Sequence, residues 1–194
     1  MHKIIRDPEF IIFTGPMFGS KTTRMLGTLE RYKYQNKKVL AFKPRMDNRY
    51  SEDKITTHSG MTYVACVVAN GSEILEMVKE ENPDVIAIDE AFMIDDVAAV
   101  VLELFKTGKT IVISSLQLSA SGNVFTEIRD MMPWATRIEI CPAVCMITGR
   151  DAYYTHRKIQ DLNEITIGGK DLYEPRCWEH HSFMNQDGLR VENS

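Results

Sequence analysis

Phe10-Ile11-Ile12-Phe13-Thr14-Gly15-Pro16-Met17-Phe18-Gly19-Ser20-Lys21-Thr22 is the stretch on which the reading of this chain turns. Phe10 to Phe13 is a short continuous apolar run bounded by Thr14-Gly15-Pro16, which suits a strand buried on both faces. From Lys21 onward, Met25, Leu26, Leu29 and Tyr32 recur at the spacing of one helical face, up to the polar break Gln35-Asn36-Lys37-Lys38. Strand, glycine-containing loop and helix therefore follow one another. In that setting backbone N–H groups and a helix N-terminus cradle phosphate anions, a lysine reaches the β- and γ-phosphates, and the next hydroxyl ligates Mg²⁺. Those roles fall to Lys21 and Thr22. The usual motif has glycine directly before the lysine, whereas here Ser20 stands there and the glycine is Gly19. Taken alone, the segment also reads as a strand-to-helix turn carrying a surface lysine.

Further along, Val39 to Phe42 reads as a strand, Gly71 to Glu81 as a helix, Asp84 to Ile88 as a strand, Asp95 to Lys106 as a helix and Thr110 to Ser114 as a strand. This alternation predicts an α/β fold of the P-loop NTPase kind, a mostly parallel sheet with helices on both faces. The run Val85-Ile86-Ala87-Ile88 ends on Asp89-Glu90, two carboxylates at a strand's C-terminal end, where ligands bind in open α/β sheets. Asp89 suits Mg²⁺ held through water, and Glu90 suits accepting a proton from, or orienting, an attacking hydroxyl. Acids here also serve to cap a following helix or solvate a strand end. The polar, aperiodic segment from Asp47 to Met61 reads as a loop.

From Cys141 the chain becomes loop-rich and weakly periodic. We divide it into a nucleotide-binding domain over 1–140, a small subdomain over 141–185 and a disordered tail over 186–194. With 194 residues, 44% of them hydrophobic, it has enough apolar side chain for a sizeable core. There is no signal-like stretch and no run of about 18 apolar residues, so a cytoplasmic protein is expected. A net charge of −4 gives no electrostatic reason to expect nucleic acid or an anionic membrane as partner. Four cysteines are too few for a disulfide scaffold, and Cys141, Cys145 and Cys177 lie near His180 and His181, which raises metal ligation.

Five segments, in order and at compatible spacing, resemble the thymidine kinase family of the cellular, poxviral and bacterial type. They are Gly15-Pro16-Met17-Phe18 with its Gly, Ser and Lys; Phe42-Lys43-Pro44 with Asp47, Arg49-Tyr50-Ser51 and Thr57-His58; Ile88-Asp89-Glu90-Ala91; Ala143-Val144-Cys145-Met146 with Ala152, Tyr154-Thr155 and Arg157; and Ile167-Gly168-Gly169 with Asp171 and Tyr173. The resemblance implies transfer of the γ-phosphate of ATP to the 5′-hydroxyl of thymidine, with Mg²⁺, in a homotetramer. It implies Glu90 as catalytic base, and ATP contacts from Gly15 to Thr22, from Asp47, Asn48 and Arg49, and from Asp89, Ala91 and Phe92. A loop of Glu164, Ile165, Thr166, Ile167 and Gly168 would close over the base beside Tyr173, with Met17, Leu116, Ala120 and Thr155 lining the pocket. Without the resemblance, Met17 and Leu116 read as ordinary core.

The chain departs from that family's pattern in three places. Gly19-Ser20 reverses the usual order. Met93 and Ala120 stand where the family places aromatic residues against the base, which opens the reading of another pyrimidine deoxynucleoside. The family's zinc ligands survive as Cys145 and Cys177-x-x-His180, but Thr148 replaces the fourth. Either Cys141 completes a Cys₃His set, with His181 as an alternative to His180, or the metal is lost and the thiols are inert. The rival to an enzyme is a non-catalytic nucleotide-binding relic.

Overall fold

The computed structural model describes residues 7–47, 53–57, 59–159 and 168–181. In chain order its elements are β1 (Phe10–Thr14), α1 (Lys21–Tyr34), β2 (Val39–Pro44), β3 (Lys54–Thr56), β4 (Thr62–Val64), β5 (Cys66–Val68), α2 (Gly71–Glu81), β6 (Val85–Asp89), α3 (Val97–Lys106), β7 (Thr110–Ser114), α4 (Thr126–Met131), β8 (Arg137–Ile140), β9 (Ala143–Val144), β10 (Asp151–Ala152), β11 (Tyr154–Arg157) and β12 (Tyr173–Arg176). Six strands form one sheet in the order β5-β2-β6-β7-β1-β8, and every pairing in it is parallel. The expected α/β architecture is present.

Side chains alternate across each central strand, which is why those runs are apolar throughout. Phe10 and Ile12 of β1, Ile86 and Ile88 of β6, and Ile111 and Ile113 of β7 pack with Ile74 and Val78 of α2, Val97, Val101 and Leu104 of α3, and Ile128 of α4. Ile11, Phe13, Val85, Ala87 and Val112 point the other way, onto Met25, Leu26, Leu29 and Tyr32 of α1. Helices thus cover both faces. The bounds of α2 follow from its caps: the Asn70 side chain accepts from Glu73 N at 3.1 Å, a cap worth about 1 kcal/mol, and Asn82 closes the helix at φ 43°.

The structure adds elements that the sequence pattern hides. Within the stretch read as a loop, β3 pairs antiparallel with β4, and Ile55 is buried against the α1 side of the core. Three residues are too few to show a period. At the two edges of the sheet, β5 is only three residues long and β8 alternates charged residues with Ile138 and Ile140, which remain exposed. Helix α3 begins two residues later than expected because Asp95 bridges to Asn70 and Asp96 takes a left-handed conformation. Beyond Cys141 two antiparallel pairs, β9 with β10 and β11 with β12, are followed by a 3-10 turn over Trp178–His180. The tail expected over 186–194 lies outside the described residues. Among the described residues no helix is long and apolar enough to cross a membrane.

Candidate active site

The loop between β1 and α1 is shaped by the chain that leaves β8. A side chain at Gly15 or at Gly19 would overlap the carbonyl oxygen of Cys141, and Gly15 also sits at φ 132°. Gly19 is therefore required for space. Ser20 is a conformational matter: it precedes α1 at φ 58°, as Phe18 does at φ 66°, and each such left-handed residue costs about 1–2 kcal/mol. The reversed Gly19-Ser20 order thus keeps the glycine that the neighbouring backbone demands and places a strained serine where glycine would relax. Lys21 is buried, and its Nζ donates to Pro16 O at 2.6 Å.

Strand β6 delivers the carboxylates to this loop. Thr22 Oγ1 donates to Asp89 at 3.1 Å to Oδ1 and 3.3 Å to Oδ2. Burial, and then the Glu90 carboxylate, push Asp89 up to about 7, while hydroxyls of Ser114 and Thr22 pull it back and Asp47 adds to the rise. Glu90 follows at φ 48°, ahead of a 3-10 turn over Ala91–Met93, and strain of this kind collects where a side chain must be aimed. One cavity is lined by Met17, the loop from Phe18 to Thr22, Asp47, Asp89 and Glu90. Ala91 and Phe92 place their side chains in the apolar core, and Phe92 stacks on Phe125 with ring centroids 4.4 Å apart. Thr22 and Asp89 fit Mg²⁺, which takes one or two protein oxygens and completes its shell with phosphate and water.

The residues expected around the base lie on the far side of the loop. Met17 N donates to Thr155 Oγ1 at 3.0 Å, tying the phosphate loop to β11. Thr155 also lines a cleft with Pro16, Gln117 and Tyr153. Leu116 is buried in the large core, and Ala120 lies half-buried in the turn that Ser119 closes by accepting from Gly122 N. Tyr173 is buried beneath the Arg157 guanidinium, 5.5 Å from its ring centroid, and borders a cleft with Phe18. Gly168 abuts Leu172. Asn48, Arg49, Glu164, Ile165, Thr166 and Ile167 lie outside the described residues.

The cysteines part company. Cys141 packs with Phe13 and Met25 under the phosphate loop, its Sγ 3.6 Å from Glu139 O, whereas Cys145 and Cys177 share a separate cluster with Ala143 and Ala152. Near the latter pair, Thr148 Oγ1 lies 3.7 Å and His180 Nδ1 3.5 Å from Cys177 Sγ. Burial alone would raise the Cys145 thiol, but the Thr148 hydroxyl and the backbone N–H groups of Cys177, Ile147 and Thr148 bring it down to about 6. His181 is engaged elsewhere. Its buried Nε2 donates to Thr155 O at 2.7 Å, and burial holds the ring below the usual histidine range.

Two residues at the site were given no role from the sequence. Ser114 faces Asp89 in the β6–β7 register, and its hydroxyl favours the ionised carboxylate. Lys43 is buried at the cavity wall, and its Nζ donates to Lys54 O at 3.5 Å. The available signal for Lys43 was a lysine at the end of an otherwise apolar strand, Val39-Leu40-Ala41-Phe42.

The phosphate loop, the paired acids and the β11 contact can be set beside known proteins. The family model described as thymidine kinase matches residues 9–181. A thymidine kinase of Thermococcus kodakarensis is 35% identical over 181 residues, covering 88% of this chain and 92% of that protein. A thymidine kinase of Onion yellows phytoplasma is 32% identical over 188 residues, covering 93% of this chain and 90% of that one. With the match running from the residue before β1 to the histidine that anchors β11, this chain belongs to the thymidine kinase family.

Proposed function

We propose that the protein is an ATP-dependent thymidine kinase, transferring the γ-phosphate to the 5′-hydroxyl of thymidine. The observation that carries this reading is the meeting of Lys21, Thr22, Asp89 and Glu90 around one cavity at the C-terminal ends of the strands. The phosphates rest on the N–H groups that open α1, and the Lys21 ammonium moves from Pro16 O to their oxygens. Thr22 and Asp89 would hold Mg²⁺, which when bound would neutralise phosphate charge and favour the ionised form of Asp89. Glu90 orients the 5′-hydroxyl and accepts its proton as the oxygen attacks in line; the P–O bond to ADP breaks on the opposite side. Little covalent work falls to the protein beyond positioning and charge stabilisation. Arg49, from the resemblance, steadies the developing charge. The same reading includes closure of residues 164–168 over the base, cytoplasmic residence and a homotetramer.

The test is transfer of radiolabel from ATP to each natural deoxynucleoside with Mg²⁺, with Glu90→Gln as control. Labelled thymidine monophosphate should form, and the variant should lose about 10²- to 10⁴-fold in turnover with ATP affinity nearly kept. Transfer only to another pyrimidine nucleoside would move the specificity to the pocket around Met93 and Ala120. Binding of ATP with no transfer to any nucleoside would overturn the kinase reading.

A further inference from the structure

The corner built by Cys145, Thr148, Cys177 and His180 carries an inference of its own, independent of catalysis. The family resemblance implies a structural zinc here, and the donor set of this chain does not fit one. Among the described residues no three His, Cys, Asp or Glu side chains converge on a point that could hold a metal. Thr148 stands in the fourth position, and a neutral hydroxyl is a poor partner for zinc beside thiolates. Neither substitute is at hand, since Cys141 lies under the phosphate loop and His181 bonds Thr155 O.

What the corner has instead is hydrogen-bond donors set beside the Cys177 sulfur. The Thr148 hydroxyl lies 3.7 Å from Cys177 Sγ, and Cys177 packs with Cys145 in one buried cluster. Thr148 sits in a turn that opens at Cys145 and closes at Arg150. That turn is locked by Cys145 N donating to Arg150 O at 2.8 Å and Gly149 N to Cys145 O at 2.9 Å. Arg150 itself reaches back, its guanidinium 3.9 Å from Cys177 Sγ and held there by Glu179 at 2.5 Å.

We propose that this corner is a metal-independent closure of a zinc knuckle, in which the Thr148 hydroxyl, set beside the Cys177 sulfur, takes the place of the fourth ligand. The test uses the full chain purified from zinc-supplemented cells without chelator, comparing wild type, Thr148→Val and Thr148→Cys by elemental analysis and by melting with and without EDTA. Wild type should carry under about 0.1 zinc per chain and melt at the same temperature with EDTA, whereas Thr148→Cys should take up about one zinc and become chelator-sensitive. Thr148→Val, which keeps the shape and deletes the hydroxyl, should melt about 2–4 °C lower. Wild type holding about one zinc per chain, whose removal lowers the melting temperature, would overturn the proposal. So would a metal-free wild type that melts together with Thr148→Val. If Thr148→Cys fails to fold, the other two proteins still decide.

Discussion

Replacing Asp89 by asparagine should make the protein more stable, and only above a definite pH. The Asp89 carboxyl is 7% exposed, shares its surroundings with Glu90, and is pushed from near 3.8 up to about 7. In the unfolded chain the same group loses its proton near the lower value. Between these two pH values the unfolded state therefore gains stability on ionising while the folded state does not. The contribution of this group to folding is fully present below about pH 4 and is lost as pH rises to about 7. At about 1.4 kcal/mol per pH unit, the interval corresponds to an upper bound on the order of 4 kcal/mol. Relaxation and water entry around the charge reduce it, so we expect Asp89→Asn to be more stable than wild type by about 2 kcal/mol at pH 8. The assay is urea unfolding of both proteins from pH 4 to pH 8, followed by Trp134 and Trp178 fluorescence. The stability difference should climb across this range and level off above about pH 7. Saturating ATP with Mg²⁺ should stabilise wild type far more than the variant, because the metal needs the carboxylate. A difference that does not change with pH, or a variant less stable at pH 8, would falsify the account of Asp89 as a carboxylate buried against its own folding stability.

Three further outcomes follow from the described geometry. Ser20→Gly should relieve the left-handed strain at φ 58° and raise the melting temperature by about 2–4 °C, while Gly19→Ala should lower it by more, since no side chain fits against Cys141 O; differential scanning calorimetry reads both. Lys43→Met should cut turnover by about tenfold or more without lowering the melting temperature, because it removes a buried cation from the phosphate cavity; steady-state kinetics beside a thermal melt separates that role from a structural one. His156 and His181 are both held below the usual histidine value by burial, so the folded state resists their protonation, and stability of the Asp89→Asn background should fall as pH drops below about 6.5. His181→Phe should flatten that fall, as seen in the same urea titrations.

The central architecture was legible because strands buried on both faces write themselves as continuous apolar runs. Phe10-Ile11-Ile12-Phe13 and Val85-Ile86-Ala87-Ile88 have no other economical reading, and the helix read over Gly71–Glu81 has those bounds, fixed in the structure by caps at Asn70 and Asn82. The edges were not legible. β8 alternates Arg137-Ile138-Glu139-Ile140 with its isoleucines exposed, and β3 and β5 are three residues each, shorter than any period. At the site, the glycine loop and the acid pair could be read from spacing, because phosphate and Mg²⁺ impose that spacing on a strand–loop–helix unit. Ser114 could not, since its role depends on which strand becomes the neighbour of β6. The fate of the cysteines was equally hidden: Cys141 and Cys145 stand four positions apart, yet one faces the phosphate loop and the other a different cluster.

The carbonyl of Cys141, pressed against Gly15 and Gly19, has a bearing on how the protein matures. On a ribosome, the first 135 residues already contain the phosphate loop, its lysine, both acids and five of the six sheet strands. They lack the wall against which the loop is moulded, because that wall arrives with the exit of β8, the strand added last to the sheet. A nascent chain at that stage holds the chemistry of the site but not its cast. Nucleotide should therefore grip the polypeptide only once β8 has docked, which makes ligand binding a report on the closing of the sheet.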